Sequence, residues 1–296
     1  MIRRTSILLL LSAFCSGAQQ AGPPEDVPMF RAATRLVEAY VSVLDKRGNP
    51  IPNLSLEKFT VLDNGKPQTL VAFEGAEDKL SCALLLDITG SMEEFLPVLK
   101  NSVLRFIDDL PADQELAIYT FSNNVQLAQD FTSDKRLTKQ AVMRVRSGGA
   151  TALFDAAARV SRDLEMRKGK KALVLFTDGN DNASSLTSNG ASRRAKLAGV
   201  PVYAIAQGEA LRNRQFMQTL EDIASDTGGL ALTVKKPTDI TSIFAAISQS
   251  LKHTYLFSWK MPDDAGTEWR NIQVLVPGIK DATVRARQGY TPNYRY

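Results

Sequence analysis

The rhythm of apolar positions changes twice along the chain. Residues 36–44 alternate, putting Val37, Ala39, Val41 and Val43 on one face, which predicts a strand with one buried side. Residues 59–62 and 69–73 read as two more strands, joined by Asp63-Asn64-Gly65-Lys66. Asn-Gly at that spacing predicts a hairpin. From Leu80 the pattern switches: apolar runs of strand length alternate with stretches of helical period. Strands are predicted at 81–87, 115–122, 125–131, 171–178, 200–207 and 230–234, and helices at 92–109, 134–145, 151–166, 189–198, 213–226 and 237–251. This alternation predicts an α/β fold, a doubly wound, mostly parallel six-stranded sheet with helices on both faces. After Lys252 short alternating runs return at 254–260, 269–276 and 283–287, separated by Pro-Asp-Asp and Pro-Gly turns. Three strands before the α/β unit and three after it are each too few to stand alone. The two flanks are therefore expected to form one small β-sandwich with the α/β domain inserted into it. No repeat of fixed period is visible.

The first residues predict a secretory signal over 1–18. Arg3 and Arg4 supply the positive start, residues 7–14 a short apolar core, and Ser16-Gly17-Ala18 small residues for cleavage. Phe14 before Cys15 argues against a lipoprotein signal, which needs a small residue there. Residues 19–30, rich in Gln, Gly and Pro, read as a disordered leader. The expected order is then a β-rich part at 31–77, the α/β domain at 78–251 and a second β-rich part at 252–296. No membrane span is expected after signal cleavage, and the protein is expected outside the cytoplasm, periplasmic or secreted.

Without Arg3 and Arg4 the chain carries 34 basic and 32 acidic residues. That near-balance gives no support to a nucleic-acid partner. Cys82 is then the only cysteine, so no internal disulfide forms. Its place in the run Cys82-Ala83-Leu84-Leu85-Leu86 predicts a buried small apolar residue.

Three distant pieces carry the candidate chemistry. Asp87-Ile88-Thr89-Gly90-Ser91 ends one apolar run, Thr151 follows Ser147-Gly148-Gly149-Ala150, and Asp178-Gly179 ends a second apolar run. Together they offer two carboxylates and three hydroxyls, an all-oxygen set suited to Mg²⁺ or Mn²⁺ rather than zinc or copper. Ligands of open α/β sheets bind beyond the carboxyl ends of strands, where neighbouring connections leave in opposite directions. Two aspartates ending adjacent strands would face such a crevice, and the glycines before Thr151 let backbone approach an ion. Each piece also has an ordinary reading. Ser91 and Glu94 fit a capping box, Thr151 fits an N-cap, and Asp178-Gly179 fits a turn after a strand.

Taken in order, Asp-x-Ser/Thr-x-Ser, then Thr, then Asp-Gly resembles the metal-ion-dependent adhesion site of von Willebrand factor A domains. The resemblance covers about 78–250 and includes "LLLDITGSM", "GGATALFDA" and "LVLFTDGND". It implies a sheet with one antiparallel edge strand and a metal at its upper rim, held by Asp87, Thr89, Ser91, Thr151 and Asp178. It also implies hydroxyls that touch the ion directly, aspartates that act through water, and a partner protein's Asp or Glu carboxylate completing the shell. Thr89 departs from the family, which usually has Ser there. The flanking segments, such as "VSVLDKRGNPIPNLSLEKFTVLDNGKPQTLVAFEG", resemble those of bacterial exported proteins related to this family.

The remaining signals are weaker. Asp155 lies one helical turn after Thr151, on the same face, and reads either as a group that holds ligands or water or as a solvated helix residue. Arg167-Lys168-Gly169-Lys170-Lys171 reads as a solvated basic loop at the end of the sheet away from the metal. Asp178-Gly179-Asn180-Asp181-Asn182 lacks the Gly and Glu an EF-hand needs. His253 is the one histidine, too few for a usual zinc site. Neither a hydrolase elbow nor a phosphate-binding glycine loop occurs, so no enzymatic activity is expected. Tyr290, Tyr294 and Tyr296 are expected to pack on the sandwich. The outstanding alternative to a metal-dependent adhesion module is a structural envelope protein of the same fold without a working metal site.

Overall fold

The structure is a computed structural model that describes residues 35–75, 78–179 and 181–292. The predicted signal, the leader and Tyr294 and Tyr296 lie outside the described residues. Strands β1 (Leu36–Leu44), β2 (Thr60–Asp63), β3 (Lys66–Pro67) and β4 (Leu70–Glu74) open the chain. The central unit follows: β5 (Leu80–Asp87), α1 (Leu96–Asp109), β6 (Glu115–Phe121), β7 (Val125–Thr132), α2 (Lys135–Arg144), α3 (Leu153–Glu165), β8 (Lys170–Thr177), α4 (Ser188–Ala198), β9 (Val202–Ala206), α5 (Arg214–Thr227), β10 (Leu230–Thr233) and α6 (Ile240–Lys252). Strands β11 (Tyr255–Lys260), β12 (Arg270–Leu275), β13 (Thr283–Ala286) and β14 (Gly289–Tyr290) close it.

The central sheet has the order β10-β9-β8-β5-β6-β7. All pairs are parallel except β6 with the edge strand β7. Every residue of β5 and β8 is buried, as continuous apolar runs covered on both faces require. Cys82 is fully buried, and burial pushes its thiol up to about 12. Helices α1, α2 and α6 pack their apolar sides on one face, and α3, α4 and α5 on the other. The connections leaving β5 and β8 therefore depart to opposite faces of two neighbouring strands. That is the crevice the sequence called for, and it lies at the end of the sheet where Asp87 and Asp178 sit.

The flanks form two antiparallel four-stranded sheets, β13-β1-β11-β4 and β14-β12-β2-β3. Val37, Ala39, Val41 and Val43 face the core between them together with Phe257, Trp259, Ile272 and Val274. The Asn64-Gly65 turn forms with both residues at positive φ, but it joins β2 to the two-residue β3 rather than to residues 69–73. The chain then crosses to the other sheet, where β4 pairs with β11. Aromatic packing accounts for this correction: Phe73 stacks on Phe257 at 5.4 Å and on Tyr255 at 5.8 Å. Within the sandwich Asp63 is fully buried and gathers three donors, Arg270 Nε at 2.7 Å, Tyr290 Oη at 2.7 Å and Trp259 Nε1 at 3.2 Å.

The basic cluster at 167–171 is not a solvated loop. Lys170 and Lys171 are buried, because this turn is where the sandwich meets the α/β sheet. Lys171 N donates to Tyr40 Oη at 2.9 Å, Lys171 Nζ pairs with Glu38 at 3.3 Å, and Lys170 Nζ donates to Gly75 O at 3.0 Å. Arg287 reaches from the sandwich to Glu38 O and to Lys196 O at the end of α4. The cluster does lie at the starting end of β8, as expected. A strand of this length places it roughly 20–25 Å from the aspartate rim.

Candidate metal site

Leu86 faces Phe176 in the parallel register, so β5 and β8 end side by side. Asp87 is the last residue of β5, and Asp178 is the first beyond β8. Backbone hydrogen bonds then draw in the third piece. Gly148 N donates to Ile88 O at 2.6 Å and Gly90 N to Gly149 O at 3.4 Å. Gly149 has φ +96°, and a Cβ there would meet Ser122 Cβ and Oγ at 3.0 Å, so a glycine is needed for the loop to lie this close. Thr151 O accepts from Asn182 N and Ala183 N, both at 3.0 Å, and Thr151 N donates to Asn182 Oδ1 at 2.9 Å. The Thr151 segment is thus held between the loop after Asp87 and the loop after Asp178.

Hydrogen bonds link Asp87, Thr89, Ser91, Thr177 and Asp178. Asp87 Oδ1 accepts from Thr89 N at 3.0 Å, and Asp87 Oδ2 from Thr177 Oγ1 at 2.9 Å. Ser91 Oγ donates to Asp178 Oδ1 at 3.0 Å, and Thr89 Oγ1 lies 3.0 Å from Ser91 Oγ. Asp87, Thr89, Thr151 and Asp178 are all buried, whereas Ser91 is exposed.

Burial raises the Asp87 carboxyl against the donors Thr89 and Thr177, which pull it down. Asp178 is raised to about 6, first by burial and then by the negative charge of Asp87. Among the described residues neither carboxylate forms an ion pair. Two crowded carboxylates with hydroxyls beside them and no cationic side chain to balance them are the donor set a hard divalent cation stabilises. Among the described residues no three His, Cys, Asp or Glu side chains converge, so the chemistry here rests on mixed carboxylate and hydroxyl oxygens. The residues present fit an Mg²⁺ or Mn²⁺ ion.

Two of the ordinary readings are corrected. Ser91 is not an N-cap: residues Gly90–Met92 form a 3-10 turn, and α1 begins only at Leu96 with Pro97 in its first turn. Thr151 is not an N-cap either, since α3 starts at Leu153 after Ala152 with no side-chain cap. Asp155 acts on backbone rather than on the side chains of the candidate ligands. Its carboxylate accepts from Ser185 N at 2.7 Å and Leu186 N at 3.0 Å, pinning the loop that carries Asn182. The residue that sequence reasoning missed is Thr177. Its one available signal was a hydroxyl at the close of an apolar strand, directly before Asp178.

An α/β sheet with one antiparallel edge strand and this loop triad at its rim defines a von Willebrand factor A-type domain. The family model for the von Willebrand factor type A domain matches residues 82–246, and the chain belongs to that family. Domains of this family commonly serve adhesion or other protein interactions. A UPF0353 protein of Mycobacterium avium is 23% identical over 224 residues, which is 65% of this chain and 65% of the relative's length. Among solved structures, a von Willebrand factor type A protein from Catenulispora acidiphila has a TM-score of 0.52 at 11% identity, covering 86% of this chain and 73% of that one. The PilB minor pilin from Streptococcus sanguinis has a TM-score of 0.52 at 14% identity, covering 59% and 61%. The vWF domain of the type V pili tip protein Mfa5 from Porphyromonas gingivalis has a TM-score of 0.50 at 13% identity, covering 58% and 95%. At these identities the likeness is one of fold. Among the described residues no helix is long and apolar enough to cross a membrane.

Proposed function

We propose that this chain is an exported, non-enzymatic adhesion module that captures a partner protein through a divalent cation, Mg²⁺ or Mn²⁺, held by Asp87, Thr89, Ser91, Thr151 and Asp178. When bound, the cation supplies a positive charge with open coordination positions, suited to an Asp or Glu carboxylate of the partner. The chain's own residues prepare that place. Thr177 and the Thr89 amide orient Asp87, Ser91 orients Asp178, and Asn182 and Asp155 fix the loops around Thr151. The observation that carries the reading is the convergence of three distant segments on two adjacent carboxylates with no ion-pair partner. Export is supported by the secretory signal expected over 1–18, and two solved proteins of this fold are, by name, a minor pilin and a pilus tip protein.

The test is titration of Mg²⁺ into the wild type and Asp178→Ala, followed calorimetrically. The wild type should bind one ion, and Asp178→Ala should bind at least tenfold more weakly. Equal binding by both, or binding by neither, removes the metal from the reading. Extracellular oxygen-ligand sites for calcium bind in the range of about 10⁻⁴–10⁻³ M. Chelation is therefore expected to change partner capture more than melting temperature.

A second reading has an observation of its own. The hydroxyls and carboxylates already hydrogen-bond one another, which suits a structural envelope protein whose rim works without an ion. Partner capture that is indifferent to EDTA would favour it.

A further inference from the structure

Beside the aspartate rim a groove of about 330 Å³ runs between β7 and α2. Ile88, the residue next to Asp87, lines one end, and the floor and sides include Thr120, Gln126 and Leu137. Arg144 and Arg146 also line it. No acidic side chain is among its lining residues. Helix α2 and its surroundings are rich in cations, and most of these are already committed. Lys135 Nζ donates to the carbonyls of Asp108 and Leu110, Arg136 pairs with Asp134, and Lys139 pairs with Asp108. Lys100 Nζ donates to Met143 O at 3.0 Å and Val145 O at 2.6 Å. Arg144 and Arg146 differ: both are exposed, and among the described residues neither guanidinium has a hydrogen bond or ion pair. The field they leave is felt nearby, where Lys100 is lowered by burial and then by the charge of Arg146. Arg146 stands five residues before Thr151, on the same segment that Gly148 ties to Ile88.

We infer that this groove selects the partner's sequence: it takes a peptide segment bearing further Asp or Glu residues beside the carboxylate offered to the metal, and Arg144 and Arg146 pair with them. The inference rests on the proposed metal-dependent capture, because that anchors the segment at Ile88. The physical argument is one of charge. The metal alone accepts any accessible carboxylate and so gives little discrimination. A guanidinium binds carboxylates through a planar fork, which adds direction as well as attraction. Two unpaired guanidiniums at the mouth of a groove free of acids favour an acidic neighbour and disfavour a basic one. Leu137, at 44% exposure, leaves apolar surface in the groove for the intervening side chains.

The experiment is selection of a displayed random dodecapeptide library on the full chain in 5 mM Mg²⁺ and in EDTA, for the wild type and for the double variant R144A/R146A. The best wild-type peptide is then synthesised and its affinity measured on both proteins. Expected is a metal-dependent consensus with two or more acidic residues, bound about five- to tenfold more weakly by R144A/R146A. That difference should shrink at 0.5 M salt. The charge-reversed variant R144E/R146E, selected in the same way, should lose the flanking acids from its consensus. A metal-dependent consensus with a single carboxylate, or equal affinity on wild type and R144A/R146A, overturns the groove and leaves the metal site standing. Acidic peptides enriched equally in EDTA and lost on R144A/R146A support the groove and overturn its dependence on the metal. Failure to enrich any acidic peptide overturns the inference.

Discussion

Ser91 and Asp178 are 87 positions apart in sequence, yet the Ser91 hydroxyl donates to Asp178 Oδ1 at 3.0 Å. This contact closes the rim, because it links the loop leaving β5 to the loop leaving β8. The two strands run in register, so the loops that follow them emerge together. The position of the Asp178 carboxylate thus depends on strand pairing laid down several residues earlier.

Thr177→Val tests the support under Asp87. The hydroxyl donates to a fully buried carboxylate oxygen. Valine keeps the shape and removes the donor, leaving a buried acceptor short of a partner. The expected loss is about 1–3 kcal/mol of folding stability in metal-free buffer. A urea unfolding curve that superimposes on the wild type contradicts the role given to Thr177.

Tyr40→Phe tests the joint between the two halves. The Tyr40 hydroxyl accepts the Lys171 amide at the start of β8. Its removal strands a buried N–H and should cost roughly 1–3 kcal/mol. Mg²⁺ affinity should stay unchanged, since the rim is at the other end of β8. Calorimetric metal titration alongside urea unfolding reads both quantities.

Asp63→Asn tests the buried polar centre of the sandwich. Arg270 is paired there with a carboxylate that has no solvent exposure. Breaking one side of a buried charge pair is expected to cost about 3–5 kcal/mol. Chemical denaturation of the purified variant measures it, and a loss below 1 kcal/mol would mean that Trp259 and Tyr290 suffice without the charge.

Lys170 gives the chain a pH dependence. Burial lowers its ammonium to about 8, against the opposing charges of Asp78 and Glu74. The unfolded chain holds that proton up to a higher pH, near 10.5. Between those values the unfolded state binds more protons, so stability rises with pH. The rise should be on the order of 2–3 kcal/mol from pH 7 to pH 10.5. Lys170→Met should remove it, and equal slopes for the two proteins over this range would show that another group titrates.

Much of the fold was readable because the strands carry unambiguous patterns. β5 carries the apolar run 82–86 before Asp87, and β8 carries the run 172–176 just before Thr177 and Asp178, so both the parallel sheet and the two carboxylates were visible at once. The Asn64-Gly65 turn was also readable, since its backbone demand is local. Its far side was not, because the place of β4 is set by Phe73 meeting Phe257 and Tyr255, nearly two hundred residues away. Lys170 and Lys171 misled for a related reason: charge suggests solvent, but the docking of β1 covers Lys171 and the segment after β4 receives Lys170. Ser91 and Glu94 satisfied the spacing of a capping box, but Pro97 starts the helix later and leaves Ser91 free to reach Asp178. Thr177 was invisible because one hydroxyl in a buried strand has no pattern of its own.

The α/β unit departs from β4 and returns into β11, and these strands are hydrogen-bonded neighbours with Glu74 opposite Leu256. Its two ends are therefore about one inter-strand spacing apart, near 5 Å. An insert attached through such closely spaced ends can be transplanted to another host hairpin without a new linker.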